Sequence, residues 1–191
     1  MVKNGFRILI CLMLLASAAS LMAADAPTDS SKLTVPGKYL TASEAYAMYQ
    51  AAPEATSVID VRTPEEYDFV GHAVMAENIP FMFWTGKFNA EKKAFSLAEN
   101  PGFVEAVKKR HQPGDVLLMM CRSGPRGAAA VNKLAEAGFT KVYNVVDGFE
   151  GDKVEDKASP DFGRRAIAGW RNSKLPWTYS LDPKLSFEAV R

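Results

Sequence analysis

The chain has 191 residues, of which 48% are hydrophobic and 24% are charged. These values are typical of one globular domain with some extension, and they exclude a chain that is disordered throughout, because disordered chains are poor in apolar residues. The formal net charge of +1 excludes the strongly basic surface that non-specific nucleic-acid binding needs, so we expect no nucleic-acid partner.

The first 24 residues have the layout of a secretory signal peptide. Lys3 and Arg7 precede the apolar run Ile8 to Leu15, and small residues follow it. The alternative is an uncleaved membrane anchor, but the run is short of the roughly 20 residues that a spanning helix needs. We therefore expect cleavage after Ala23 or Ala24, export to the periplasm of a Gram-negative host, and no stable membrane anchor after cleavage.

The two cysteines have different fates under this prediction. Cys11 leaves with the signal peptide, and Cys121 remains as the single cysteine of the mature chain. An exported protein could hold a disulfide, but one thiol cannot form an internal one. A lone cysteine is more often a small buried hydrophobe than a nucleophile, so the residues around Cys121 must decide.

The rest of the chain alternates predicted strands and helices. Residues 25–37 are rich in Pro, Ser and Gly and predict a flexible leader. Capping boxes predict helices after Thr41 and after Thr63, where Pro64 takes the first helical position. An aromatic segment, residues 81–84, precedes a predicted polar loop. The remaining predictions are strands at Lys38–Leu40, Ser57–Val61, Asn78–Pro80, Val116–Met120 and Val142–Val146, and helices around Gly102–His111 and at Gly127–Ala137.

Two of these strands are apolar on both faces. Such strands, alternating with helices, predict an α/β fold with a parallel five-stranded sheet flanked by helices on both faces. We place this domain at residues 38–150. Residues 151–191 do not repeat the pattern, and we expect a C-terminal extension that packs on the domain, largely irregular, with a short helix near Ala166 to Ser173.

The segment from Cys121 to Gly127 connects the predicted strand Val116–Met120 to the predicted helix that follows it. A tight loop at that position directs backbone N–H groups toward one point, and the helix N-terminus adds partial positive charge. Arg122 and Arg126 add two full cations, so the thiolate form of Cys121 is favoured. Asp60 and Arg62 end a second strand and should lie at the same rim of the sheet, in a supporting role.

These residues resemble those of the rhodanese family. The run Cys121-Arg122-Ser123-Gly124-Pro125-Arg126 is similar to the active-site loop of that family, Cys-Arg-x-Gly-x-Arg. Four further segments, in the family's order, are similar to its other signatures over about residues 38 to 180. They are Asp60-Val61-Arg62, Gly71-His72 with Asn78-Ile79-Pro80, Asp147-Gly148-Phe149, and Gly169-Trp170 with Leu175-Pro176-Trp177.

The resemblance implies a thiosulfate sulfurtransferase. Catalytic Cys121 would take a sulfane sulfur from thiosulfate or a persulfide and pass it, as a Cys121 persulfide, to cyanide or a thiol. The partners are then a small anionic donor and a thiol or cyanide acceptor, while nothing identifies a protein partner. No metal or organic cofactor is required. The substrate-binding residues implied are Arg122, Ser123, Gly124, Arg126 and Gly127.

Two other functions stay open at this point. A Cys-based phosphatase or arsenate reductase uses a similar anion-binding loop, but with five residues between Cys and Arg, whereas four separate Cys121 from Arg126. A rhodanese-like module that only binds a partner is the second alternative, although such modules usually lack the cysteine. Pro125 removes one N–H donor from the loop, and the segment 81–112 is longer than in the smallest family members. His72 we interpret as a structural residue.

Overall fold

The structure, a computed structural model, describes residues 24–188. The predicted signal peptide, with Cys11, lies outside these residues except for Ala24. Within the described part of the chain, no helix has the length and apolar character needed to cross a membrane.

The described residues form eleven strands, four α-helices and one 3-10 turn at Ser30–Lys32. The elements in chain order are β1 (Tyr39–Leu40), α1 (Ala42–Ala51), β2 (Thr56–Asp60), α2 (Pro64–Val70), β3 (His72–Ala73), β4 (Glu77–Asn78), β5 (Met82–Asn89), β6 (Ala94–Glu99), α3 (Phe103–Lys108), β7 (Val116–Met120), α4 (Pro125–Glu136), β8 (Lys141–Val145), β9 (Asp152–Lys153), β10 (Arg165–Ile167) and β11 (Trp177–Thr178).

The central sheet has five parallel strands in the order β1-β8-β7-β2-β4, which confirms the predicted fold class. The middle strand β7 is apolar on both faces because both are covered. Leu117 and Met119 pack with α3 and α4, whereas Leu118 and Met120 pack with α1 on the opposite face. The carboxyl ends of these strands meet at one edge, where the loops of the site lie.

Both capping boxes form as predicted. The Thr41 side chain accepts a hydrogen bond from the backbone N–H of Glu44, and Thr63 and Glu66 make the same pair at the start of α2. In each box the Glu carboxylate accepts the N–H of the capping Thr in return. The box at α2 also matters for the site, because it fixes the position of the Glu66 carboxylate.

The prediction of a polar loop after residue 84 was wrong. Strands β5 and β6 form an antiparallel hairpin that pairs Trp84 with Leu97 and Phe88 with Phe95. Cross-strand aromatic contacts stabilise it, with ring centroids of Trp84 and Phe95 5.1 Å apart. Phe81 is buried in the core, whereas Trp84 is 45% exposed and Phe88 is 62% exposed.

The predicted helix near Ala166 to Ser173 was also wrong. Strand β10 pairs with β9 there, and turns follow. Ala168 and Gly169 both have positive φ, which is not the right-handed helical conformation. Gly169 also lies against Gly151, since a Cβ on Gly169 would be 2.4 Å from the backbone nitrogen of Gly151. The extension packs on the domain through Trp170, which is fully buried.

Part of the segment expected to be a flexible leader also contacts the domain. Lys32 is buried, its Nζ lies 2.6 Å from Asp152 Oδ2, and its carbonyl accepts a hydrogen bond from Asn144. The backbone N–H of Val35 donates to Asn132 in α4 at 2.7 Å. The sequence of this segment did not predict these contacts, because their partners lie about 100 residues away along the chain.

Candidate active site

Cys121 follows β7 directly, and three residues separate it from the start of α4. It is a free cysteine, 1% exposed, and its Sγ accepts a hydrogen bond from the backbone N–H of Gly124 at 3.1 Å. Gly124 has φ of +108°, a left-handed conformation that other residues rarely adopt. Pro125, without an N–H, occupies the first position of α4, where no intrahelical bond is lost. The loop thus places the thiol at the N-terminus of a twelve-residue helix.

The turn after β8 holds this loop from behind. The N–H groups of Phe149 and Glu150 donate to the carbonyls of Cys121 and Arg122 at 2.8 and 2.9 Å. Gly148 permits the approach, because a Cβ on it would lie 2.5 Å from the carbonyl oxygen of Cys121. The predicted motif around Gly148 therefore positions the Cys121 backbone, although the sequence did not assign it to the site.

Arg126 is paired within the protein. Its Nη1 and Nη2 donate to Oε2 and Oε1 of Glu66 at 2.5 and 2.7 Å, in a bidentate arrangement that is largely buried. Burial opposes both charges, but the mutual bonds outweigh it, so the pKa of Glu66 lies below and that of Arg126 above its ordinary value. These bonds give Arg126 a positioning role at the start of α4, and its role in donor binding stays a prediction.

Arg122 has a different environment. Its side chain is exposed, and no carboxylate within residues 24–188 lies within 4 Å of its guanidinium. Arg165 of β10 is a second cation near this loop, held by a 2.7 Å hydrogen bond from its Nη1 to the carbonyl of Gly151. Burial and the charge of Arg122 hold the pKa of Arg165 below its ordinary value. Nothing in the sequence pointed to Arg165, because it belongs to the extension.

A cavity of about 440 Å³ opens over Cys121. The active-site loop forms one wall with Cys121, Arg122, Ser123 and Arg126, and the β5–β6 hairpin forms the other, including Phe95. The hairpin had been predicted as a loop, so its participation was missed. The alternation of aromatic and polar residues along 82–99 is the signal that could have found it.

Asp60 ends β2 beside Met120, the residue that precedes Cys121, and both Asp60 and Arg62 are fully buried. Arg62 Nη2 lies 2.6 Å from Asp60 Oδ2 and 2.7 Å from the carbonyl of Gly71, and its guanidinium stacks 4.3 Å from the Phe149 ring. Burial works against the charge of Arg62, but Asp60 outweighs it and raises the Arg62 pKa. The pair joins the end of β2 to Gly71 and to Phe149, and its supporting role for the site stays a prediction.

The remaining predicted residues take separate places. Ser123 lines the Cys121 cavity, whereas Gly127 packs against β8, where a Cβ would lie 2.4 Å from Asn144 Oδ1. His72 is buried, stacks on Tyr67 at 3.7 Å and bonds its carbonyl through Nδ1, as a structural residue would. Residues 24–188 contain no group of three or more His, Cys, Asp or Glu side chains that could hold a metal ion.

Known proteins are similar to this chain in sequence or in fold. Thiosulfate sulfurtransferase 16 of Arabidopsis thaliana is 37% identical over 48% of this chain and 68% of its own length. The uncharacterized protein RC0915 of Rickettsia conorii is 30% identical over 64% of this chain and 82% of its own length. The crystal structure of Rv0390 from M. tuberculosis superposes with a TM-score of 0.58 at 27% identity, covering 73% of this chain and 96% of that one.

The family model described as the rhodanese-like domain matches residues 41–155. This range contains four of the five strands of the parallel sheet, α1 to α4 and the Cys121 loop, and β1 (Tyr39–Leu40) directly precedes it. The chain therefore belongs to the rhodanese-like family, a family of sulfurtransferases.

Proposed function

We propose that this protein is a thiosulfate sulfurtransferase that carries sulfur as a persulfide on Cys121. The observation that carries the proposal is the environment of the thiol. Its Sγ accepts the Gly124 N–H at the N-terminus of α4 and lines a cavity together with Arg122, whose guanidinium has no carboxylate partner within residues 24–188. A sulfur atom added to Cys121 would carry negative charge, which the helix N-terminus and this cation stabilise.

The first step would be attack of the Cys121 thiolate on the outer sulfur of thiosulfate. A bond forms between Sγ and that sulfur, the S–S bond of thiosulfate breaks, and its electron pair leaves with sulfite. Arg122 would hold the sulfonate end of the donor by charge-assisted hydrogen bonds. The curated name of the Arabidopsis relative supports thiosulfate as the donor to test.

The second step would return Cys121 to its starting state. A cyanide ion or a thiolate attacks the outer sulfur of the persulfide, the S–S bond breaks, and the electron pair goes back to Sγ. Both steps exchange one nucleophile for another at sulfur, so they need no oxidant or reductant. The persulfide would be shielded from solvent, because Cys121 is 1% exposed.

The length of the loop and the pairing of Arg126 favour sulfur over phosphoryl transfer. Four residues separate Cys121 from Arg126, and the guanidinium of Arg126 is bonded to Glu66. A phosphoryl group has three equatorial oxygens that need donors in the transition state, and a paired arginine is a poor source of them. A single sulfur atom makes a smaller demand on the same loop.

Mass spectrometry of the Cys121 peptide tests the proposal. After incubation with thiosulfate, we expect one additional sulfur atom on Cys121, lost again on addition of cyanide with release of thiocyanate. Cys121→Ser, nearly the same size, should keep the fold and lose both reactions. Turnover retained in that variant would refute the proposal. Hydrolysis of a phosphate ester without any persulfide would establish a phosphatase instead, and a folded protein that accepts no sulfur would be a binding module.

A further inference from the structure

A second cavity adjoins the one over Cys121. It has a volume of about 280 Å³, and Arg122, Phe95 and Leu97 contribute to the walls of both. Trp84 lines only the second cavity. The two cavities are therefore neighbours along the hairpin, and the one over Cys121, at about 440 Å³, is in the size range of sites for small organic molecules.

The hairpin presents an apolar surface to this space. Trp84 pairs directly with Leu97 across the two strands, and Phe95 is two residues from Leu97, so all three side chains project from the same face. They are 45%, 37% and 48% exposed, respectively. A contiguous group of large exposed apolar side chains is uncommon on a monomer and marks a surface that binds something.

Positive charge borders this apolar surface. Arg122 stands between the two cavities, and Lys92 reaches the first from the hairpin end. Neither has a carboxylate partner within 4 Å among residues 24–188. Glu66 also lines the second cavity, but it is bonded to Arg126, so the free charge facing the space is positive.

From this arrangement we infer that the hairpin pocket binds the organic part of the sulfur acceptor. The acceptor class is a low-molecular-weight thiol that carries an apolar group, seated on Trp84 and Phe95, and an anionic group, held by Arg122. Because Cys121 is 1% exposed at the base of the cavity, a small molecule reaches its sulfur more readily than a folded partner does. The role of the ligand as acceptor rests on the proposed function, whereas the binding pocket does not.

In the reaction, the acceptor thiolate attacks the outer sulfur of the Cys121 persulfide. A new S–S bond forms on the acceptor, the S–S bond to Cys121 breaks, and its electron pair returns to Sγ. The product is the acceptor persulfide. Contacts between the apolar group and Trp84 orient the attacking thiolate, so they should raise the rate of this step.

Binding alone is tested by protection of Cys121 in the full chain. We expect 3-phenylpropionate to slow iodoacetamide labelling of Cys121 at concentrations about five- to tenfold below those needed with propionate. The difference is what partial burial of the phenyl ring against the hairpin would contribute to binding. Trp84→Ala and, as a second variant, Leu97→Ala should lose this difference. Phe69→Ala, which removes an 81% exposed ring from α2, should keep it. Equal protection by both acids, or full protection in both pocket variants, would overturn the inference.

Transfer is tested with the matched acceptors 2-mercapto-3-phenylpropionate and 2-mercaptopropionate on protein loaded with thiosulfate. We expect the phenyl compound to react about tenfold faster, with the ratio falling toward one in Trp84→Ala and unchanged in Phe69→Ala. Absence of any persulfide would refute the proposed function. The protection experiment would still show whether the hairpin pocket binds an anion with an apolar group. A persulfide that reacts with both thiols equally would refute the inference and leave the proposed function standing.

Discussion

Glu66 and Arg126, sixty residues apart in sequence, join the helices that follow two neighbouring strands of the sheet. The carboxylate of Glu66 accepts hydrogen bonds from both terminal nitrogens of Arg126 and from the backbone N–H of Thr63. One side chain therefore closes the capping box of α2 and fixes the start of α4. Because Arg126 is five residues after Cys121, this pair controls where the active-site loop ends.

The pair should make stability depend on pH. The pKa of Glu66 in the folded chain is below its ordinary value of about 4.3, which applies to the unfolded chain. The ionised carboxylate therefore contributes its full stabilisation at pH values above about 4.3, and this contribution is lost as the pH falls through the folded-state pKa. We expect the free energy of unfolding, measured in urea between pH 7 and pH 3, to differ most between wild type and Glu66→Gln at pH 7, with the difference shrinking toward pH 3. A difference that stays constant with pH would contradict the assignment.

Arg122 and Arg126 should separate in their effects on the donor. Loss of one charge-assisted contact costs about 1.5–3 kcal/mol, so Arg122→Gln should lower kcat/KM for thiosulfate about ten- to a hundredfold. Its effect should shrink with added salt, because screening already weakens an exposed site. Arg126→Gln should lower the Tm while changing the apparent thiosulfate affinity much less. Single-turnover persulfide formation measures both affinities, and equal losses would place Arg126 on the donor.

Gly148→Ala should displace the active-site loop. The substitution adds a Cβ that would lie 2.5 Å from the Cys121 carbonyl, at a residue with φ of +60°. We expect a lower Tm and a fall of about tenfold or more in the rate of Cys121 persulfide formation, since small displacements are costly at reacting centres. Gly163→Ala is the matched control, because it has φ of +78° and open space around it. Equal slowing in both variants would attribute the effect to backbone strain alone.

Asp60→Asn should destabilise the whole domain. It removes the charge partner of the fully buried Arg62, and breaking a buried ion pair costs about 3–5 kcal/mol. Urea unfolding measures this cost directly. Asp161→Asn breaks the exposed pair with Arg164 and should cost less than about 1 kcal/mol. Similar costs for the two variants would mean that the Asp60–Arg62 pair is not a structural support.

Export is predicted from the first 24 residues and is tested on protein from its native host. We propose that N-terminal sequencing will begin near Ala24 or Asp25 in periplasmic fractions, because the small residues before these positions suit the signal peptidase. Recovery of an intact Met1 in cytosolic fractions would contradict the proposal.

Several features were determined by residues close together in sequence. The apolar run Val116–Met120 predicted a strand covered on both faces, and the structure has that strand with the same bounds. The two capping boxes needed only residues three positions apart. The position of Cys121 between strand and helix followed in the same way, because local hydrophobic pattern and turn chemistry act over a few residues.

Other features were decided by contacts between distant segments. The Glu66 bond leaves Arg122 as the loop cation without a carboxylate partner in the described chain, and the local motif treats both arginines alike. Residues 82–99 form a hairpin beside Cys121 in which aromatic side chains pair across two strands, and residues 165–167 form a strand with β9 where a helix was predicted. These outcomes depend on which groups the fold brings together in space. The alternation along 82–99 could indicate strands, but a pattern of neighbouring residues does not say which distant residues those strands will meet.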